Sequence, residues 1–114
     1  MASSKLFQPI EVGQMTLKHR IVLPPLTRNR ANAQHVHSDL ALEYYRQRSS
    51  EPGTLLITEA TFIAGQAGGY PHVPGLWNKE QTAAWKKVWL YLLCIESNGI
   101  IYPLLNTLGY RRST

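Results

Sequence analysis

The sequence predicts an α/β fold, with parallel β/α units following an N-terminal β-hairpin. Three observations carry this. Short apolar runs at 21–23, 54–62 and 100–105 have the length and bounding turn residues of strands. Segments of helical character at 38–48 and 78–98 separate them. The second run begins apolar on both faces, as in a parallel sheet covered by helices. About three strands and two helices do not close a (β/α)8 barrel, which needs eight strands and about 250 residues. The pattern therefore describes an incomplete object.

Each element follows from its residues. Ile10, Val12, Met15 and Leu17 flank the turn residues Gly13 and Gln14, which suits a hairpin. Ile21-Val22-Leu23 reads as a strand closed by Pro24-Pro25, since proline cannot donate to a ladder. A loop, Thr27 to His37, follows. Ser38 is the expected N-cap of a helix with Asp39 in its first turn, a buried stripe of Leu40, Tyr44 and Tyr45, and Arg46 and Arg48 near the end that favours cations. Ser50 to Gly53 stops it. Thr54 to Phe62 is the second strand, and a Gly- and Pro-rich loop runs from Gly65 to Trp77. Asn78, with Gln81 three residues on, resembles a capping box for a helix expected to reach about Asn98 and stop at Gly99. Ile100 to Leu105 would be the third strand.

The 114 residues are 44% hydrophobic and 17% charged, the composition of a folded chain. Twelve Lys and Arg against seven Asp and Glu give a net charge of +5. No basic run exceeds two residues, so the charge carries no nucleic-acid motif and no nucleic-acid partner is expected. The single cysteine, Cys94, excludes an intrachain disulfide. The longest apolar run, Val88 to Ile95, is far too short to span a bilayer, and no stretch near Met1 has signal-peptide length. A cytoplasmic protein without membrane attachment is expected.

Taken singly, the polar residues are weak signals. His35 and His37 read as members of a solvated loop rather than metal ligands, and no metal site is expected. Glu59 follows the apolar start of the second strand, where barrel enzymes place functional groups; a loop-anchoring acceptor and a catalytic carboxylate are equally compatible with it. Gln66 to Tyr70 is glycine-rich but lacks a phosphate-loop pattern and reads as a turn. Trp77, Trp85 and Trp89 read as packing residues.

In combination the residues are far more specific. Leu6-Phe7-Gln8-Pro9 with Val12-Gly13, then His19 through Arg28 (His-Arg-Ile-Val-Leu-Pro-Pro-Leu-Thr-Arg), resembles the opening of the old yellow enzyme family. Tyr44 to Arg48, Ile57 to Ala60, Gln66 to Tyr70 and Pro74 to Trp77 continue the resemblance in the family's order and spacing, over roughly residues 5 to 88. The likeness is greatest to fungal members and the plant 12-oxophytodienoate reductases. It implies the N-terminal portion of a TIM (β/α)8 barrel that holds FMN non-covalently at its strands' C-terminal ends. It also implies NADPH as reductant of the flavin, and hydride transfer to the β-carbon of a small-molecule enone. By motif, Pro25 and Leu26 would contact the flavin through backbone, Thr27 would hydrogen-bond its O4, and Ala60 would lie near the isoalloxazine edge. A hydroxyl donor at O4 stabilises the electron-rich reduced ring, and a side chain ending at Cβ lets backbone approach it. The family's catalytic His, Asn and Tyr would lie beyond Thr114, so no catalytic residue is assigned in this chain.

After Val88 the likeness fails, dividing the chain into 1–88, the N-terminal part of an FMN-binding oxidoreductase domain, and 89–114, a divergent tail. Val88 to Ile95 is apolar on every helical face and calls for burial all round. Leu104 and Asn106 stand where the family has its flavin-contacting Gln and a Trp. Thr107 to Arg111 can be written ACT CTG GGC TAT CGG, which one base later reads Leu-Trp-Ala-Ile, close to the expected segment. A frameshift or intron read-through is the expected origin of the tail. On this reading the isolated chain binds FMN weakly or not at all and is inactive alone. The alternative is a non-catalytic fragment, or one half of a split reductase completed by another polypeptide.

Overall fold

The computed structural model describes residues 4–94. After a single 3-10 turn at Lys5–Phe7, β1 (Ile10–Val12) and β2 (Met15–Leu17) form an antiparallel hairpin with Ile10 opposite Leu17 and Val12 opposite Met15. Of the two turn residues only Gly13 has a positive φ, +61°, the arrangement in which glycine leads a two-residue hairpin loop. β3 (Val22–Leu23) pairs in parallel with β4 (Leu55–Leu56), Val22 beside Leu55 and Leu23 beside Leu56. Between these strands runs α1 (Asp39–Arg48), and after β4 comes α2 (Lys79–Cys94). The hairpin is tied to the approach to β4 by the Lys18 N–H donating to the Gly53 carbonyl at 3.2 Å. Gly53 has φ +82°, and a Cβ there would lie 2.9 Å from the Lys18 nitrogen, so neither the conformation nor the space suits a larger residue.

The core lies where both helices cover the parallel pair. Tyr45 of α1, Leu56 of β4 and Trp85, Val88, Trp89 and Leu92 of α2 form one buried cluster, with Leu23, Leu42, Tyr44, Leu76 and Tyr91 packed against it. Tryptophan at helical spacing is therefore packing here, as expected for Trp85 and Trp89, whereas Trp77 is 37% exposed. The α2 start is a built capping box. Asn78 Oδ1 accepts the Gln81 N–H at 2.9 Å, and Gln81 Oε1 accepts the N–H groups of Trp77 (2.9 Å) and Asn78 (3.3 Å).

Several expectations are corrected. The second strand spans Leu55–Leu56 rather than 54–62. The ladder ends with the Ile57 N–H on the Leu23 carbonyl, and beyond it the backbone turns to other partners: Glu59 to Tyr45, Phe62 to Gly75. The preceding strand is likewise reduced to Val22–Leu23. Leu40 is 65% exposed, and Ala41 takes its place in the α1 stripe, four residues before Tyr45 on the same face. The Ser38 backbone is extended as an N-cap requires, but its hydroxyl donates to the Arg30 carbonyl instead of capping the helix. As far as Leu92, α2 is one-sided, with Val88, Trp89 and Leu92 buried and Leu90 half exposed, so the apolar run is not enclosed on every face. The expected end of this helix near Asn98, the third strand and the segment around Leu104 lie outside the described residues.

Candidate flavin-facing site

Two parallel strands share a direction, so the chain leaves both β3 and β4 at the same edge of the sheet. In α/β proteins this carboxyl edge is where ligands are bound. Pro25, Leu26 and Thr27 leave it directly after β3, and Ala60 follows β4 by four residues. All four are exposed. They are drawn together by the residues beside them, since Glu59 Oε2 accepts the Arg28 N–H at 3.2 Å. Together they form an open shelf with a hydroxyl, backbone carbonyls and a short methyl side chain.

Behind this shelf lies a buried polar cluster. Glu59 is 4% exposed. Its backbone N–H donates to the Tyr45 hydroxyl at 3.1 Å, and its other carboxyl oxygen lies 3.7 Å from His37 Nε2. The His37 ring meets Trp85 edge-on, with centroids 4.3 Å apart. Burial pushes the Glu59 carboxyl above the usual carboxylate range, against the opposing pull of the Arg28 backbone N–H and guanidinium. Burial pushes the Tyr45 hydroxyl up and holds the His37 imidazole down to about 4, so His37 is neutral at neutral pH. Beside the cluster, Arg28, Arg30, Leu40, Ala41, Tyr44 and Glu59 line a cavity of about 110 Å³. The Arg28 and Arg48 guanidinium groups lie 5.2 and 4.2 Å from the Tyr44 ring centroid, within cation–π range.

The reading of His35 and His37 as members of a solvated loop is wrong. His37 is buried, and His35 is a pin: its Nδ1 lies 2.6 Å from the Val73 carbonyl, while its own carbonyl accepts the Gly75 N–H at 2.8 Å. His72 closes a reciprocal pair with Ala31, ring to carbonyl at 2.9 Å and Ala31 N–H to carbonyl at 3.0 Å. His35 and His72 have φ of 59° and 61°, and this stitching holds them there. The loop after β3 is thus sewn to the loop after β4 on the shelf side. Among the described residues no cluster of three or more His, Cys, Asp or Glu side chains could hold a metal. Glu59, open between two roles from sequence, has the geometry of a loop anchor. Tyr45 and His37 were not recognised as site members. A tyrosine on a buried helical stripe needs a partner for its hydroxyl, which is a usable signal; no comparable signal marked His37.

The shelf residues fit a flavin in kind. A solvent-facing hydroxyl at Thr27 can donate to a ring oxygen, and neither Ala60 nor the Pro25–Leu26 backbone carries bulk to block a flat ligand. Among the described residues no helix is long and apolar enough to cross a membrane.

The chain is similar to several known proteins. The chain is 56% identical over 85 residues to the NADP-dependent oxidoreductase lnbE of Aspergillus flavus, an alignment covering 75% of this chain and 22% of that protein. It is 49% identical over 90 residues to enoate reductase 1 of Kluyveromyces lactis, covering 77% of this chain and 23% of that one. The crystal structure of Old Yellow Enzyme from Pichia sp. AKU4542 superposes with a TM-score of 0.78 at 45% identity, over 84% of this chain and 25% of that one. The chain therefore spans about a quarter of the length of the relatives it matches, and what its described residues form is a portion of their barrel. The NADH:flavin oxidoreductase / NADH oxidase family model matches residues 5–90, taking in both parallel strands, α1 and all four shelf residues, and the chain belongs to that family.

Proposed function

We propose that this chain contributes the first part of the flavin-binding face of an FMN-dependent, NADPH-oxidising ene-reductase. The observation that carries the reading is the exposed row Pro25-Leu26-Thr27 beside Ala60 at the shared carboxyl edge of β3 and β4. Bound FMN would supply hydride transfer between a nicotinamide cofactor and the C=C bond of an α,β-unsaturated carbonyl compound. The chain's own contribution is positional. Thr27 donates a hydrogen bond to the ring's O4, Pro25 and Leu26 offer backbone, and Ala60 keeps the edge open. No side chain of this chain is assigned a proton-transfer role. The family name and the relatives named as an oxidoreductase and an enoate reductase support the reaction class.

The shelf presents one face to solvent, so these 114 residues alone hold FMN weakly and do not turn over substrate. A second reading, in which a complementing polypeptide shares the site, is favoured by the exposed apolar side chains of Ile21, Val22 and Leu26 along β3 and its exit. Residues 89–114 fit a tail of frameshifted or read-through origin, which sequencing the genomic locus tests. The test of the flavin reading is a titration of the purified chain with FMN, followed by fluorescence quenching, for the wild type and Thr27→Val. Weak quenching reduced further by the substitution is expected. Identical curves for the two proteins contradict the Thr27 assignment.

A further inference from the structure

The described residues hold one buried carboxylate that the proposed function leaves unused, and it touches both segments of the shelf. Glu59 immediately precedes Ala60. Its Oε2 accepts the N–H of Arg28, the residue after Thr27, at 3.2 Å. One side chain therefore bridges the two shelf segments, one residue away from a shelf member on each. The parallel ladder does not make this link, since its last bond runs from the Ile57 N–H to the Leu23 carbonyl, upstream of both segments. The carboxyl is itself confined. Glu59's backbone N–H is held by the Tyr45 hydroxyl at 3.1 Å, Thr61 Oγ1 donates to its carbonyl at 3.0 Å, and His37 Nε2 stands 3.7 Å from Oε1. His37 is backed edge-on by Trp85 of α2, and neither of its ring nitrogens has a hydrogen-bond partner among the described residues. The imidazole thus walls the second carboxyl oxygen and leaves the first aimed at the loop.

We propose that Glu59 is a positioning residue for the flavin shelf: its side chain clamps the Arg28 backbone to the end of β4 and so fixes Thr27 relative to Ala60, with His37 holding the carboxyl in place. The inference rests on the shelf reading for its purpose but not for its geometry. What the clamp requires is reach, an acceptor oxygen at the end of a two-methylene stem. Glutamine keeps that reach and loses the charge, whereas aspartate keeps the charge and loses the reach. A carboxylate retained only for general stability would have no reason to prefer the amide.

Amide hydrogen exchange on the flavin-free chain, read by NMR, tests this directly. The Ile57 amide serves as internal control because it bonds the same two segments through the ladder. In the wild type and in Glu59→Gln the Arg28 amide is expected to exchange slowly. In Glu59→Asp its exchange accelerates by about tenfold, while Ile57 is unchanged. An unprotected Arg28 amide in the wild type, or any other ordering of the two variants, overturns the clamp. FMN is added last as probe. Shifts at Thr27 and Ala60 that persist in Glu59→Gln and weaken in Glu59→Asp support the positioning role, and equal shifts in both variants refute it. Failure of the wild type to respond to FMN refutes the flavin reading alone, since the exchange data decide the clamp without flavin.

Discussion

Acidification is expected to destabilise this chain through one residue, His37. The imidazole is 9% exposed and held down to about 4, below its ordinary 6.5, by burial. Because the folded value lies below the unfolded one, the unfolded chain binds a proton first as pH falls, and stability is lost between about 6.5 and 4. Linkage at about 1.36 kcal/mol per pH unit gives a loss of about 1.4 kcal/mol by pH 5.5 and about 3 kcal/mol by pH 4. Glu59 works in the opposite sense. Its raised value means that the folded state takes up a proton before the unfolded one, which stabilises the fold on acidification and makes the His37 figure an upper bound. Against a total of about 5–15 kcal/mol for a typical domain, this is a large fraction. Urea denaturation of the dilute chain at pH 7 and pH 5, followed by the fluorescence of the buried Trp85 and Trp89, measures it. His37→Phe removes the titration and should flatten the profile across that window. A wild type equally stable at both pH values, or an unchanged profile in the variant, rules out this role for His37.

Three further outcomes are expected. Gln81→Ala strips the α2 start of the acceptor for Trp77 and Asn78 and of the donor to the Gln34 carbonyl; at a fully buried position this should cost about 2–4 kcal/mol, read as a lowered urea midpoint. Gly53→Ala forces a side chain onto a backbone with φ +82° and into Lys18, and should cost about 1–3 kcal/mol in the same assay. The open strand edges and exposed Phe7, Ile21 and Leu26 should make the concentrated chain self-associate; sedimentation as a monomer at high concentration contradicts this.

Much of the fold could be read from local chemistry. The hairpin, the Asn78 helix start and the packing role of Trp85 and Trp89 follow from turn residues, caps and period, which act over a few positions. What misled was what the local pattern cannot contain. Thr54 to Phe62 looks extended throughout, but β4 ends once tertiary partners, the Tyr45 hydroxyl and the Gly75 strand bridge, outbid the ladder. Leu40 has the right hydropathy for the α1 stripe, yet the helix is turned so that the smaller Ala41 is buried and Leu40 is left exposed. Of the site, Pro25, Leu26, Thr27 and Ala60 were nameable only through the family motif, because exposed residues carry no periodic signal of their own. His37 and Glu59 meet across 22 positions of sequence, and only the fold brings them together.

On this reading the shared carboxyl edge of β3 and β4 is a flavin-facing surface. Mapping FMN onto the isotope-labelled chain by amide chemical shift tests it most directly. Weak, non-saturating shifts concentrated at Leu26, Thr27, Arg28 and Ala60 are expected. Shifts centred on the outer surface of α2, or a chain that purifies yellow with stoichiometric flavin, would contradict the account.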